Sequence, residues 1–152
     1  MCRWGAKKNG GQAEQALGRS KGGFSTKIHV SVDGLGNPVR FILTAGQRND
    51  ITQAEALIVD LDFERLIADK GYDADDFIRL IIEEYEAEVV IPPRAKRKEL
   101  RDYDAHFYKE RHLVECFINK IKHFRRTFSR FEKLANRYFS FLSFVGTLIW
   151  LR

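Results

Sequence analysis

The chain has 152 residues, of which 44% are hydrophobic and 31% charged, a composition typical of one soluble globular domain large enough to bury a core. Its two cysteines, Cys2 and Cys116, are too few and too far apart for a disulfide framework or a zinc site. A reducing, cytoplasmic compartment is therefore expected.

The net charge of +5 is unevenly distributed along the chain. Residues 1–49 carry 8 basic and 2 acidic side chains, residues 50–93 carry 3 and 13, and residues 94–152 carry 15 and 6. Two basic blocks around an acidic one indicate a polyanionic partner with carboxylates held close by. A solvated surface of mixed sign is an equal alternative.

The amino-terminal part predicts a basic arm followed by a β-hairpin. Residues 1–23 are Gly- and Lys-rich without periodicity and are interpreted as an arm that precedes one domain over residues 24–152. In "FSTKIHVSVDG" apolar and polar residues alternate, which predicts a half-buried strand. A Gly-, Asn- and Pro-containing turn and a second strand, "VRFILTAG", complete an antiparallel hairpin.

Two helices and two short apolar strands then alternate. The helices are predicted in "NDITQAEALIVDLDF" and "DADDFIRLIIEEYEA", and the strands in "RLIADKGYD" and "EVVIPP". Asp50 or Thr52 is the expected N-cap of the first helix, and Asp73, Asp75 and Asp76 are assigned to capping the second. The alternation predicts an α/β fold with a mixed sheet whose first pair is antiparallel.

The carboxyl-terminal part is basic and helical. The loop "RAKRKELRDYDAHF" leads to a long helix from Tyr108 to Arg126, and a closing helix covers about residues 131–150. Its apolar stretch is too short to span a bilayer, so no membrane association is expected. Five basic residues of this part are candidate phosphate contacts, with a solvated surface as the alternative: Arg94, Lys96, Arg97, Arg125 and Arg126.

The long helix has a polar stripe that docking against a core does not explain. At about 100° per residue, Tyr108, Arg111, Glu115 and Lys122 fall within about 60° of one another, nearly opposite the apolar stripe. A carboxylate flanked by a phenol, a guanidinium and an ammonium can ligate a hard cation while its cationic neighbours bind phosphate oxygens. A solvated glutamate is the simpler interpretation of Glu115 taken alone.

Asp69 is the second candidate acid. It follows an apolar strand, so its carboxylate is expected at the carboxyl edge of the sheet, where ligands bind in open α/β folds. Capping of the following turn is the alternative role. Two carboxylates from different elements, a divalent metal and basic phosphate contacts together describe a phosphodiester-cutting centre.

These residues carry a resemblance to a known family. The spacing Tyr108-x2-Arg111-x3-Glu115-x6-Lys122, the motif "ADKGYDAD" around Asp69, and the stretches "GRSKGGFSTKIH" and "RFILTAGQRNDITQA" resemble bacterial insertion-sequence transposases of the DDE type. The "insertion sequence five" family is the most similar. The resemblance extends from about residue 5 to the end of the chain.

The resemblance implies a ribonuclease H-like mixed sheet flanked by helices, with an Asp-Asp-Glu triad that binds Mg²⁺ or Mn²⁺. Asp69 would be the second acid and Glu115 the third, while Tyr108, Arg111 and Lys122 would position transposon-end DNA. The implied reaction is hydrolysis at the element's ends followed by attack of the freed 3′-hydroxyl on target DNA. The resemblance also implies a nucleoid-associated protein that forms a homo-oligomer or pairs with an upstream transposase half.

One departure from the family pattern bears on activity. The family's first Asp lies on a first strand that is expected upstream of the Gly/Lys-rich arm, where this sequence has "MCRW". Asp33 is assigned to the hairpin turn, so the sheet is expected to lack its first strand and the chain to be inactive alone. The alternatives are a non-catalytic DNA-binding remnant that titrates transposon ends or interferes with full-length transposase, and a related nuclease of the same fold.

Overall fold

The structure of the protein is a computed structural model that describes residues 15–20, 23–95, 97 and 100–152, with Arg19 and Ser20 described by their backbone. The amino-terminal strands are β1 (Gly18–Ser20), β2 (Gly23–Val32) and β3 (Pro38–Ala45), and they form an antiparallel sheet in the order β1-β2-β3. The predicted hairpin is therefore confirmed. β1 lies inside the segment interpreted as a basic arm, where no strand was expected; most of that segment, residues 1–14 and 21–22, lies outside the described residues.

The hairpin turn is built around Asp33, as predicted. Its carboxylate accepts hydrogen bonds from the backbone N–H groups of Leu35 and Asn37 and from the Asn37 amide. Burial opposes ionisation, but these hydrogen bonds together lower the pKa of Asp33. Gly36 has a φ of +81°, in the left-handed region that glycine tolerates without strain.

The first predicted helix is short. Residues Asp50–Gln53 form a 3₁₀ turn and α1 covers Ala54–Ile58. The predicted cap is wrong, because neither candidate side chain caps the helix: the Thr52 hydroxyl donates to the Asn49 carbonyl, and the Asp50 carboxylate pairs with Lys27 on β2. The helix instead docks through buried Ala54, Leu57 and Ile58.

The second sheet is a parallel pair, β4 (Arg65–Ile67) and β5 (Glu88–Val90), joined by the 3₁₀ turn Lys70–Tyr72 and by α2 (Asp75–Glu83). Both strands and the helix confirm the prediction. The α/β class is confirmed as well, and the described strands are divided between two small sheets.

The long helix predicted over Tyr108–Arg126 is interrupted, so that prediction is wrong in its continuity. It begins with a 3₁₀ turn, Phe107–Arg111, continues as α3 (His112–Lys122), and resumes as α4 (Arg125–Phe128). The break lies at Phe124, whose φ of −95° and ψ of 80° leave the helical region while its ring packs against the core. The closing helix α5 (Ala135–Trp150) starts later than expected.

Two apolar clusters stabilise these elements. One lies between α1, α2 and β5 and includes Ile81 and Ile91. The other places α3 and α5 against the hairpin, with Phe117 fully buried and its ring 5.7 Å from that of Phe41. Within the described part of the chain, no helix is both long enough and apolar enough to cross a membrane.

Candidate active site at the end of strand β4

Asp69 lies two residues beyond β4, at the carboxyl edge where the sequence placed it. Its carboxylate accepts a 3.4 Å hydrogen bond from the Gly71 N–H and so caps the 3₁₀ turn. The side chain nevertheless remains 51% exposed. The capping role and an available carboxylate are therefore compatible at this position.

Arg111 brings the two candidate acids together. Its Nη2 donates to Glu115 Oε1 at 2.6 Å, and its Nη1 lies 3.9 Å from Asp69 Oδ2. The hydrogen bond that Arg111 donates to Glu115 is the main cause that raises the pKa of Arg111. A single guanidinium thus contacts both candidate carboxylates.

The 3₁₀ turn before α3 is attached to β4 by stacking. The guanidinium of Arg65 lies 3.4 Å from the centre of the Phe107 ring, a cation–π geometry. The next residue, Tyr108, packs edge-on against Tyr103 and lies under Arg111, 5.8 Å from its Cζ. Burial and the nearby charge of Asp69 raise the pKa of the Tyr108 phenol. Tyr108 therefore remains a neutral neighbour of the acids.

Lys122 lies farther along α3. It is seven positions after Glu115, which is two turns or about 10 Å along the axis on the same side. Its Nζ donates to Asn119 Oδ1 at 2.8 Å and lies 5.9 Å from the Phe128 ring centre. Lys122 therefore lies on the Glu115 side of α3, where its side chain contacts Asn119 and Phe128.

Arg94 clamps the turn that follows Asp69. Its Nε donates to the Lys70 carbonyl at 3.1 Å and its Nη2 donates to the Gly71 carbonyl at 2.7 Å. With Asp50 and Asp69 it lines a shallow pocket of about 480 Å³. The guanidinium of Arg94, which the sequence predicted as a phosphate contact, thus also stabilises the turn that follows Asp69.

The basic loop is anchored on Asp73, which the sequence had assigned to a helix cap. That assignment is wrong: Ala74 occupies the cap position, and the Asp73 carboxylate is fully buried. It accepts the Arg94 N–H at 2.8 Å and Arg97 Nε at 2.7 Å, and it also pairs with Arg101. Burial opposes ionisation of Asp73, but these donors together lower its pKa.

Four predictions on basic residues remain. Arg97 also contacts Asp75 at 2.6 Å, so its guanidinium is engaged within the protein. Arg125 and Arg126 are exposed on α4, and Lys96 lies outside the described residues. The thiol of Cys116 is exposed, because it lies on α3 beside the Glu115 face and away from Phe117.

Sequence reasoning missed the neighbourhood of His29. This side chain is 3% exposed, its Nε2 lies 2.7 Å from Thr44 Oγ1, and its Nδ1 lies 3.4 Å from the Asp50 carboxylate. Burial is the largest effect on its pKa, which is lowered. The alternation of β2 had placed His29 on the solvent side, so no signal in the sequence indicated it.

Asp69 and Glu115 fit a divalent cation in their chemistry, since exposed carboxylate oxygens are the donors that Mg²⁺ and Mn²⁺ prefer. The set is small, because no group of three or more His, Cys, Asp or Glu side chains suited to a metal occurs within the described residues. The arrangement therefore supports two carboxylate ligands beside a fixed guanidinium.

The model of the family described as "Transposase DDE domain" matches residues 3–143 of the chain. The chain belongs to the DDE transposase family. It is 37% identical over 130 residues to a Brucella ovis protein assigned as a transposase for insertion sequence element IS6501, covering 85% of this chain and all of the relative. It is 32% identical over 159 residues to the corresponding assignment for IS402 from Burkholderia cepacia, covering 97% of this chain and 70% of that relative.

No solved structure matches the chain significantly. The resemblance to insertion-sequence transposases is confirmed by the family model and by both relatives. DNA transposition is therefore the biological process of this transposase, and divalent metal ions are the cofactors that its family generally uses.

Proposed function

We propose that this DDE transposase uses Asp69 and Glu115 as two carboxylates of the site that cleaves and joins DNA at the ends of an insertion sequence. The observation that carries the proposal is the bridge through Arg111, which contacts both acids from different elements. Asp69 is fixed by the turn after β4, and Glu115 by the docking of α3 through Phe117 and Ile121.

Asp69 and Glu115 would hold Mg²⁺ or Mn²⁺ as oxygen ligands. A bound divalent cation would supply Lewis-acid activation of the attacking hydroxyl and charge stabilisation of the leaving oxygen. Arg111 balances the negative charge of the two carboxylates and presents donors to a phosphate oxygen. Tyr108, kept neutral by its raised pKa, would position DNA by its hydroxyl and ring.

Basic residues on two sides of these acids would bind the DNA backbone. Lys122 lies on the same side of α3 as Glu115, and Arg125 and Arg126 extend that exposed surface onto α4. Arg94 lines the pocket with Asp69 and can share its guanidinium between the turn and a phosphate. Arg97 is better explained as an anchor of the loop, because Asp73 and Asp75 occupy its donors.

The assay is strand transfer by the transposase expressed from its complete element, on DNA carrying the element's ends with Mg²⁺ or Mn²⁺. Asp69→Ala and Glu115→Ala should each lower the rate by at least about 100-fold, the size of effect expected when a group that acts on transition-state charge is removed. Asp76→Ala is the control, since that side chain is 96% exposed on α2. Full activity in either test variant would contradict the assignment.

The 152-residue chain taken alone is proposed to have little activity. The proposed site has two carboxylates, those of Asp69 and Glu115, and the carboxylate of Asp33 is engaged in its turn. A third acid from another polypeptide, either a second copy or an upstream transposase half, would complete the site. On this basis the alternative function is a DNA-binding protein that titrates transposon ends, and metal-dependent nicking that Glu115→Gln abolishes would refute it.

A further inference from the structure

Exposed aromatic rings lie where α4 meets α5. Helix α5 buries one side against the hairpin and α3, and Leu142 and Val145 belong to that side. At about 100° per residue, Phe141 and Phe144 lie about 60° apart on another side of α5, and both are exposed. Phe131, in the connection before α5, is exposed as well. Neighbouring apolar rings left open to water indicate a binding surface.

Two of these rings form a pocket together with charged residues. Phe131 and Phe141 line it with Arg126 and Glu132, and its volume is about 300 Å³. A nucleotide with an unpaired base matches this lining, because the face of a base stacks on aromatic rings and the adjoining phosphate pairs with a guanidinium. A phosphate alone matches it poorly, since Glu132 would repel its charge.

The surface around the pocket is strongly basic. Residues 120–144 carry seven Lys or Arg side chains and one acidic side chain. The exposed basic residues of α4 and of the connection and first turn that follow it are Arg125, Arg126, Lys133 and Arg137. At the end of α3, Lys122 Nζ lies 5.9 Å from the centre of the exposed Phe128 ring, a cation–π geometry. Sites for single-stranded nucleic acid combine cations and rings in this way.

The same charge argues against a second copy of the chain as the occupant. In a twofold contact the same patch of both copies meets, so the basic side chains around the pocket would face one another. Like charges across an interface lower the affinity. A DNA strand would instead neutralise these side chains with its phosphates while its bases cover the rings.

We propose that the pocket between Phe131 and Phe141 binds an unpaired base of single-stranded DNA, with Phe144 as a neighbouring ring for a second base. Residues three apart on a helix have Cβ atoms about 5–6 Å apart, so Phe141 and Phe144 can each take one base of the same strand. The proposal rests on the phosphate contacts proposed above for Arg125 and Arg126. It adds base stacking to them and names single-stranded DNA as the ligand of this surface.

Two strands with the same phosphates separate stacking from charge. The probe is a fluorescein-labelled strand of twelve thymidines, and its partner is a strand of the same length with abasic sites in place of the bases. Fluorescence anisotropy with the full chain, without metal, should show saturable binding of the thymidine strand. The abasic strand should bind at least about tenfold more weakly, because its charge is unchanged and its stacking is lost.

Three phenylalanine variants test the pocket on the protein side. Phe131→Leu and Phe141→Leu remove a ring and keep an apolar side chain, so each should weaken binding of the thymidine strand about fivefold or more. Binding of the abasic strand should change less than about twofold. Phe139→Leu is the matched control, since Phe139 lies on the same helix about 160° from Phe141 and is 41% exposed against 38%. It should leave both affinities within about twofold.

Circular dichroism establishes that the variants are folded, and if a test variant is not, the two strands decide the question with the unaltered chain. No binding of the thymidine strand, equal binding of the abasic strand, or equal effects of Phe141→Leu and Phe139→Leu would overturn the proposal. A stable dimer in sedimentation that the thymidine strand does not dissociate would assign the surface to a second copy and would overturn it too.

Arg126→Gln distinguishes this proposal from the phosphate contacts on which it rests. It should weaken binding of both strands alike and reduce the dependence on salt, because one phosphate contact is lost. Unchanged affinity in this variant would contradict the phosphate contact, whereas the difference between the two strands tests stacking alone. The assay contains no metal, so its outcome is also separate from the roles proposed for Asp69 and Glu115.

Discussion

Asp73→Ala tests whether one buried carboxylate holds the basic loop on the domain. The carboxylate is fully buried and accepts the Arg94 N–H at 2.8 Å and Arg97 Nε at 2.7 Å, and it pairs with Arg101. Truncation removes these acceptors together. It also leaves two guanidiniums beside an apolar methyl group.

The expected cost follows from those partners. Breaking a buried ion pair costs about 3–5 kcal/mol, and an unsatisfied buried N–H costs about 1–3 kcal/mol. Arg97 and Arg101 are 19% and 31% exposed, so water can solvate part of each guanidinium after truncation. The free energy of unfolding should therefore fall by about 3 kcal/mol, or roughly 6–12 °C in melting temperature.

The same site predicts an acid dependence with a definite sign. The folded pKa of Asp73 lies below its ordinary value because its hydrogen-bond donors outweigh burial. Its contribution is therefore fully present above about pH 4, the ordinary carboxyl pKa, and is lost as the pH falls through the folded pKa. Asp73→Asn should remove this part of the acid destabilisation.

Urea unfolding between pH 7 and pH 3 measures both effects, with Asp76→Ala as the control. That side chain is 96% exposed, so its loss should change the free energy of unfolding by less than about 0.5 kcal/mol. An Asp73→Ala protein within about 1 kcal/mol of the unaltered chain at pH 7 would refute the reasoning, because such a cost is that of an ordinary surface change.

Three further predictions concern α3 and its surroundings. Arg111→Met should bind Mn²⁺ several-fold more tightly in an electron paramagnetic resonance titration, because the guanidinium no longer competes for the carboxylates of Asp69 and Glu115; unchanged affinity would contradict the bridge. Phe117→Ala should lower the free energy of unfolding by about 3–5 kcal/mol in urea, since the ring is fully buried; a cost under about 1 kcal/mol would place it outside the core. Cys116 should react with a thiol reagent in the folded protein at a rate close to that in the unfolded chain, and complete protection would contradict its exposure.

Strands β2 to β5 and α2 could be predicted from the sequence because their signals are local. Alternation in β2, the apolar run of β4 and the prolines after β5 act within a few residues, and the structure confirms these elements. The position of Asp69 could be predicted from two local features, an apolar strand and the turn that follows it. In the structure Asp69 lies just beyond the end of β4.

The wrong predictions have a common cause, because the residues concerned contact partners that are distant in sequence. Asp73 precedes a helix and is a residue type that often caps one. Its carboxylate is instead bound by arginines 24 and 28 residues later. Asp50 likewise lies at the start of a predicted helix, but its carboxylate forms an ion pair with Lys27 on β2. The predicted helix through Phe124 is interrupted where that ring packs against the second cluster. Sequence propensity predicts the role of such residues from their neighbours in the chain, whereas tertiary contacts determine that role in the folded protein.

The uneven charge of the chain can now be interpreted more narrowly. Arginines of the basic carboxyl-terminal block dock onto the acidic block: Arg97 binds Asp73, and Arg111 contacts Asp69. Part of the asymmetry that indicated a polyanionic partner is therefore neutralised within the molecule. The Arg111 guanidinium contacts both acids and offsets the repulsion between two like charges. The two carboxylates of the proposed site are thereby paired with a cation, while Arg125 and Arg126 on α4 stay exposed for the proposed contacts with DNA.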